Sequence, residues 1–465
     1  MATPFSSEAE FEKALIDMLT RHGWGEVIHC PDEQQLIDNW AKILFDNNRG
    51  RDQLGDIPLT AGEMAQIIEQ INELRTPLAL NEFINGRTVT ITRDAPQAHN
   101  FGVEISLKIY DRLEIAGGQS RYQIAVQPRF KTADELLPAR RGDVMLLING
   151  MPVFHIELKR TGVPVSQAAN QIAKYAHEGV YQGLFSLVQI FVAMTPEESQ
   201  YFANPGTGKF NPDYFFHWAD FNNEPINEWN EVTRRLLSIP MAHQLIGFYT
   251  VADRASGNLL AMRSYQYYAA SRIADQVDRH DWDSGDQRGG YVWHTTGSGK
   301  TITSFKTAQL IADSHNADKV VFLLDRVELG TQSLENYTSY GGESLTVEDT
   351  SSAANLATLL KDKHSTLIVT SLHKMSRVNT DTLKLADLEL IRAKRWYSSS
   401  MKPTAPPSVT CWQPSNAPCP TLCFSVSPAH PSTMKTRRRT PTQPTCSAMS
   451  CTAIRLPTAS ATATS

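Results

Sequence analysis

Residues 140–160, RRGDVMLLINGMPVFHIELKR, decide how the first part of this chain folds. Two apolar runs flank Asn149-Gly150, a dipeptide that favours a two-residue hairpin turn because both positions accept positive φ. Residues 143–148 and 153–158 are therefore read as paired strands. Side chains alternate across a strand, so Glu157 and Lys159 share a face. Reversal of the chain at the turn brings Asp143, fourteen positions before Glu157, to the same end of the hairpin. Two carboxylates and an amine at one point are the groups a metal-dependent nuclease uses. Carboxylate oxygens of Asp143 and Glu157, with a backbone carbonyl near Leu158, are the hard ligands that Mg2+ takes. The ion acidifies water and offsets phosphate charge, and Lys159 would position the attacking water or neutralise the reacting phosphate. The spacing alone is loose, because a hairpin with exposed charges has the same pattern. Chemistry is favoured because Val153, Phe154 and Ile156 bury the strand, and charges ending a buried strand are costly unless used.

Around this hairpin the pattern alternates between helix and strand. Residues 8–20 have apolar positions at the helix period. Residues 59–75 form a second helix, with Thr60 as N-cap ahead of Glu63. Residues 86–93, 101–110 and 121–130 read as strands separated by turn signals. A helix over 165–178 and a buried strand over 184–194 complete a mixed α/β domain assigned to residues 1–240. Further on, a helix over 259–277 leads to a strand at 290–294, a helix at 300–313, and strands at 319–324 and 365–370. Such alternation predicts a parallel sheet, here assigned to residues 241–394.

The whole chain has 465 residues, enough for two to four domains. Its 41% hydrophobic content suits ordinary cores. No apolar run approaches the length of a membrane span, and the N-terminus lacks the basic start and apolar core of a secretory signal. A cytoplasmic protein without a membrane partner is expected. The net charge of −5 does not advertise nucleic-acid binding, although a local basic groove is compatible with it. The Cys419/Cys423 spacing has no second pair to make a zinc site.

The stretch HTTGSGKT at 294–301 carries a second chemistry. Gly297 and Gly299, with Thr296 and Ser298 between and beside them, let backbone N–H groups turn toward phosphate. Lys300 would reach the terminal phosphates of ATP, and Thr301 would ligate its Mg2+. His294 stands where the usual loop has its first glycine.

Composition changes near residue 395. After Glu389 there is no Asp or Glu for 76 residues, while nine Lys and Arg occur there. The preceding part holds 35 basic and 49 acidic side chains, a net of −14. Eleven of the 25 prolines fall between 403 and 457. Such a segment lacks the apolar surface to fold and reads as a disordered tail over 395–465. The genetic code offers a sharper reading. Shifted by one nucleotide, the codons of Trp396–Pro406 permit VVFIIDEAHRS, and those of 423–436 permit FFGFTGTPIHDEN. The first is a Walker B strand with DEAH; the second resembles helicase motif III. A frameshift near Arg395 accounts for both, whereas a native basic linker accounts for neither.

The opening stretch resembles the PD-(D/E)xK nuclease core of type I restriction enzyme R subunits, whose pattern is R-R-P-D-x-x-L-x-x-N-G-x-P-x-x-x-I-E-x-K. Arg140, Arg141, Asp143, Asn149, Gly150, Pro152, Ile156, Glu157 and Lys159 match it. Gly142 departs from it where proline is usual, a change of backbone stiffness. The family's Q-x-x-x-Y element fits Gln171 and Tyr175, four apart and so on one helical face; the resemblance implies that they support the metal site or contact DNA. Glu12 resembles the acidic residue of the family's first helix and would complete the site. Trp293–Thr301 matches the family's W-H-T-x-G-S-G-K-T. Arg263-Ser-Tyr-Gln266 resembles the R-x-Y-Q element of superfamily 2 helicases, in which the glutamine reads adenine. Residues 322–332 and 370–375 resemble DNA-contacting motifs, making Arg326 and Lys374 candidate backbone contacts.

The resemblance covers roughly residues 8–394. It implies an endonuclease-like domain, then an incomplete RecA-like lobe, then the aberrant tail. It implies an ATP-dependent deoxyribonuclease that cuts double-stranded DNA with Mg2+, beside methylation and specificity subunits. A Walker B pair, motif III and a second lobe are missing from the chain as translated, so its motor is expected to be inactive. A repair helicase-nuclease is the rival enzyme, disfavoured by the nuclease-first order. An inert DNA- or subunit-binding fragment is the rival without catalysis.

Overall fold

The Asn149-Gly150 turn forms as the sequence requires. In a computed structural model of the chain the two residues have φ of 52° and 84°. They join antiparallel strands Val144–Ile148 and Met151–Leu158, with Val144 opposite Ile156. The register slips between Leu146 and Leu147. Pro152, which has no N–H for the ladder, pairs just beyond that irregularity, where a strand tolerates it. Gly150 also has no room for a side chain, since a Cβ would lie 2.9 Å from the Trp40 backbone.

The structure describes residues 5–401 except 50–53, 87, 116–117, 135, 207, 283–289, 295–297, 325–334, 342–346, 350–351, 363–366 and 379–383, together with 421–428 and 452–455. Two units emerge, residues 1–219 with 225–263, and residues 220–224 with 264–465. Among the described residues no helix is long and apolar enough to cross a membrane.

In the first unit six strands lie side by side in the order Val27–His29, Tyr122–Val126, Val144–Ile148, Met151–Leu158, Ile190–Met194, Ser199–Ala203. The hairpin is central, and every residue of its two strands is buried. A strand covered on both faces needs a continuous apolar run rather than an alternating one. MPVFHIEL supplies that run except at His155 and Glu157. Helix Val165–His177 packs on the strands Met151–Leu158 and Ile190–Met194. Helix Glu8–Arg21, capped by Ser7, buries Phe11, Leu15 and Leu19. Helix Ala61–Glu73 has the reciprocal Thr60–Glu63 cap read from its sequence. Glu63 also forms a fully buried ion pair with Arg93 at 2.8 Å.

Two readings of this region need correction. Residues 184–194 are not one strand: Gly183–Leu187 is a 3-10 turn and only Ile190–Met194 is extended. Gly183 has φ of 55°, and the Leu184 N–H donates to a Glu33 carboxylate oxygen at 2.9 Å, so this backbone is bonded outside any ladder. Residues 241–263, assigned above to the second domain, pack in the first unit. Strands Thr250–Asp253 and Asn258–Ala261 pair there around Gly257, which has φ of 70°. The Tyr201 hydroxyl ties them down by donating to the Met262 carbonyl at 2.8 Å. The helix expected from 259 therefore starts at Ser264.

In the second unit seven strands pair in parallel, in the order Val347–Asp349, Leu367–Ser371, Lys319–Leu324, Trp396–Met401, Thr421–Pro428, Gly290–His294, Thr452–Arg455. Alternate residues of Lys319–Leu324 enter opposite cores. Val320 and Phe322 meet Ala269, Ile273 and Phe305; Val321 and Leu323 meet Leu356, Leu360 and Ile391. Helices on both faces are what a parallel sheet requires. The expectation of a wholly disordered tail is corrected at 396–401, 421–428 and 452–455, which are strands of this sheet. Trp396 enters one core and Tyr397 the other, while Ser398 and Ser399 are buried behind them. The rest of the tail lies outside the described residues.

Candidate active site

Asp143 and Glu157 end up together because the hairpin register continues one step past Val144–Ile156. The Leu158 N–H donates to Asp143 Oδ2 at 2.7 Å and holds that carboxylate against the neighbouring strand. Glu157 is fully buried, and neither of its oxygens has a hydrogen-bond partner. Two side-chain nitrogens lie near it: Lys159 Nζ, 3.7 Å from Oε1, and His155 Nε2, 3.4 Å from Oε2. Burial pushes Glu157 up to about 8, although the Lys159 charge opposes this. Burial, then the facing Glu157 charge, pushes Asp143 up to about 7. Burial holds His155 down at about 4, so its ring is neutral.

A buried carboxylate with unused oxygens, next to a second raised carboxylate, is a pair that a cation would relieve. Mg2+ takes one or two carboxylates and leaves its other positions to water and phosphate. Asp143 and Glu157 fit that demand. Among the described residues no group of three or more His, Cys, Asp or Glu forms a full metal cage. The Leu158 carbonyl, read above as a further ligand, accepts a hydrogen bond from Lys159 Nζ at 2.7 Å. Lys159 Nζ is also 3.5 Å from Glu8 on the first helix.

Glu12, one turn after Glu8, accepts from Gln127 Nε2 at 2.9 Å. Its pKa is raised, first by burial and then by the Asp143 charge. Gln127 has φ of 52°, and its N–H donates to the Asp143 carbonyl at 2.7 Å. Gln127 and Glu8 are thus site residues that the sequence reading missed. Glu8 was discoverable from its helical spacing to Glu12. Nothing in the sequence marks Gln127.

Gln171 and Tyr175 also come to the site, acting on the backbone. Gln171 Nε2 donates to the Tyr175 hydroxyl at 2.7 Å, which donates to the Arg141 carbonyl at 2.8 Å. They clamp the chain two residues before Asp143. Arg140 forms a bidentate pair with Glu178 at 2.6 and 2.7 Å. Gly142 affects more than backbone stiffness: a Cβ there would lie 2.7 Å from His155 Nε2 and 2.9 Å from the Phe130 ring.

In the second unit the strand Gly290–His294 precedes the helix Lys300–Ser314. Thr296 and Gly297 lie outside the described residues, as does Arg326. Gly299 is the helix N-cap with φ of 76°, and a Cβ there would run into the Gln266 amide. Tyr265 Oη and Gln266 Nε2 both donate to the Ser298 carbonyl, at 2.9 and 3.1 Å. Gln266 therefore holds the backbone just ahead of this helix. The Lys300 pKa is lowered by burial. Thr301 sits in the first helical turn, where N–H groups and the helix dipole favour phosphate. Lys374 lies half-buried on the short helix Leu372–Ser376.

Comparison with known proteins follows this two-part layout. Residues 5–210 match the family described as "Type I restriction enzyme R protein N terminus (HSDR_N)", and residues 265–396 match "SWI2/SNF2 ATPase". The chain is 33% identical to the type I restriction enzyme SsaAORF53P endonuclease subunit of Staphylococcus saprophyticus, over 82% of this chain and 38% of that protein. It is 32% identical to the type I restriction enzyme SauCOLORF180P endonuclease subunit of Staphylococcus aureus, over 80% of this chain and 37% of that protein. It therefore spans less than two fifths of the length of these relatives. A Mycoplasma pneumoniae protein, described as the C-terminal part of the putative type I restriction enzyme MpnIIP endonuclease subunit, is 34% identical over 37% of this chain and 85% of its own length. Likeness to a solved structure of the type ISP restriction-modification enzyme LlaGI, a nuclease-deletion mutant with a DNA substrate mimic, is slight, with a TM-score of 0.26 at 17% identity over 36% of this chain and 17% of that one. Similarity over four fifths of the chain, and over most of the mycoplasma relative, leads to one conclusion: the chain belongs to the family of type I restriction enzyme endonuclease (R) subunits.

Proposed function

We propose that the first unit is a PD-(D/E)xK cleavage domain that hydrolyses phosphodiester bonds of double-stranded DNA. The observation that carries this is the buried Glu157 carboxylate, which makes no hydrogen bond of ordinary geometry and faces Asp143. These two side chains would hold Mg2+, which when bound acidifies water and offsets phosphate charge. Lys159, tethered by the Leu158 carbonyl, would offset the charge that grows on the phosphate as water attacks. Tyr175 and Gln171 hold Arg141, and through it Asp143, in place. Glu12 and Gln127 complete the acidic side of the site. A plasmid incubated with the protein restored to the shifted frame after Arg395, Mg2+, ATP and the methylation and specificity subunits tests this. Cleavage is expected, and cleavage that survives Asp143→Ala would sink the assignment.

We further propose that the second unit is the first RecA-like lobe of a superfamily 2 motor. Gly297, Gly299 and Lys300 would bind ATP phosphates and Thr301 the accompanying Mg2+, with Gln266 bracing the loop. The complex with methylation and specificity subunits would work in the cytoplasm. The cleavage domain would end near residue 263 rather than 240.

Residues 395–465 are proposed to be out of frame, which leaves the motor of this chain inactive. Trp396–Met401 is an inner strand, WYSSSM, between two parallel neighbours. Inner parallel strands are near-continuous apolar runs, yet this one has serine at 398, 399 and 400. The shifted frame permits V-V-F-I-I-D over the same six positions, which ends the strand in a carboxylate. Because the strands are parallel, that end shares a sheet edge with the end of Gly290–His294. Ligands of open α/β sheets bind at this edge. The shifted frame over Thr421–Pro428 likewise runs into F-T-G-T-P.

A further inference from the structure

His155 interrupts the apolar run of an inner strand, and no step above uses it. Its side chain is fully buried. Nδ1 lies 2.7 Å from the Tyr181 hydroxyl, and Nε2 lies 3.4 Å from Glu157 Oε2. The Tyr175 ring stacks on the imidazole at 6.1 Å and 9°, while Phe130 and Phe191 meet it edge-on at 5.7 and 6.3 Å. So enclosed, the ring has little freedom to turn.

A neutral imidazole has one N–H, and its position follows from the partner of the other nitrogen. The Tyr181 hydroxyl can give its proton to Nδ1, which leaves the N–H on Nε2, facing Glu157. The opposite tautomer would aim a lone pair at the carboxylate. We infer that His155 is a positioning residue: with its tautomer set by Tyr181, its Nε2–H orients the Glu157 carboxylate for a divalent cation. The inference rests on reading Asp143 and Glu157 as a metal site. At 3.4 Å the contact is longer than an ordinary hydrogen bond, so it steers by charge and dipole.

Gly142 supplies independent support. Only a residue without Cβ leaves His155 Nε2 its place, because a Cβ at 142 would lie 2.7 Å from that atom. The glycine that departs from the family pattern is therefore matched to the histidine on the facing strand and to the Phe130 ring beside it.

Calorimetric titration of the full chain with Mn2+ alone tests the assignment, with metal-free melting temperatures reporting folding. His155→Leu is expected to weaken binding about 10–100-fold, and His155→Gln, which keeps an N–H donor, to stay near wild type. Tyr181→Phe is expected to weaken binding about 3-fold, less than full removal of this outer shell. Gly142→Ala is expected to weaken binding with His155 present and to weaken it less once His155 is alanine, when only the Phe130 contact remains. Wild-type affinity in folded His155→Leu, while Asp143→Asn abolishes binding, overturns this inference alone. Equal binding by Asp143→Asn and wild type overturns the metal site itself. Should His155→Leu not fold, Tyr181→Phe decides, and an unchanged affinity there overturns the inference.

Discussion

Asp143 and Glu157 face each other across the hairpin, yet only Asp143 is anchored, by the Leu158 N–H at 2.7 Å. Glu157 is buried without a hydrogen bond. Both carboxyls are raised, to about 7 and about 8. Below about pH 7 the folded protein thus holds protons that an unfolded chain has released.

This fixes a pH dependence. Unfolded values are 3.8 and 4.5, so between roughly pH 4 and pH 8 the native state binds more protons than the unfolded one. These groups therefore make the metal-free protein less stable as pH rises through that window. Mg2+ must displace the same protons, so its apparent affinity should rise with pH, by up to about 100-fold per unit below about pH 7, where both carboxyls are protonated, and by about 10-fold per unit between about pH 7 and pH 8, where one is. Melting curves with and without Mg2+ check this; a metal-induced shift that ignores pH would contradict it.

Lys159→Ala should separate binding from chemistry. Removing a cation 3.7 Å from Glu157 should not weaken Mg2+ binding. Losing its charge at the phosphate should slow cleavage about 100–1000-fold. Metal titration and single-turnover cleavage on the same variant decide, and an unchanged rate would leave Lys159 without its assigned role.

How much of this centre could be read from sequence depends on backbone chemistry. Asn149-Gly150 declares its turn, and the turn sets the register that brings Asp143 to Glu157. The Thr60–Glu63 cap was likewise visible. Gln127 was not, because a glutamine with positive φ carries no local signature. His155 was hidden inside an apolar run whose composition says buried but not why. Residues 184–194 looked like one strand because hydrophobicity does not reveal the positive φ of Gly183. The tail strands were missed because composition reports intrinsic preference, not an available place in a sheet.

Gly299→Ala tests the phosphate loop. The substitution meets both a φ of 76° and the Gln266 amide. A backbone strain of about 1–3 kcal/mol should weaken ATP binding by about 10-fold or more. A fluorescent-nucleotide titration checks it, and wild-type affinity would argue against this loop geometry.

Restoring the shifted frame near Arg395 should replace the buried serines at 398 and 399 with apolar side chains and raise the melting temperature. It should also bring DNA-stimulated ATP hydrolysis, which the proposed frameshift would remove from the chain as written. Resequencing the gene gives the direct check: an uninterrupted frame as written would defeat the idea.

The central claim is that Asp143 and Glu157 form one divalent-cation site. Mn2+ titration of the nucleotide-free full chain near pH 8, beside Glu157→Gln, tests it most directly. The account predicts binding by the wild type and its loss in Glu157→Gln, with the variant still folded. Equal Mn2+ binding by both proteins would contradict it.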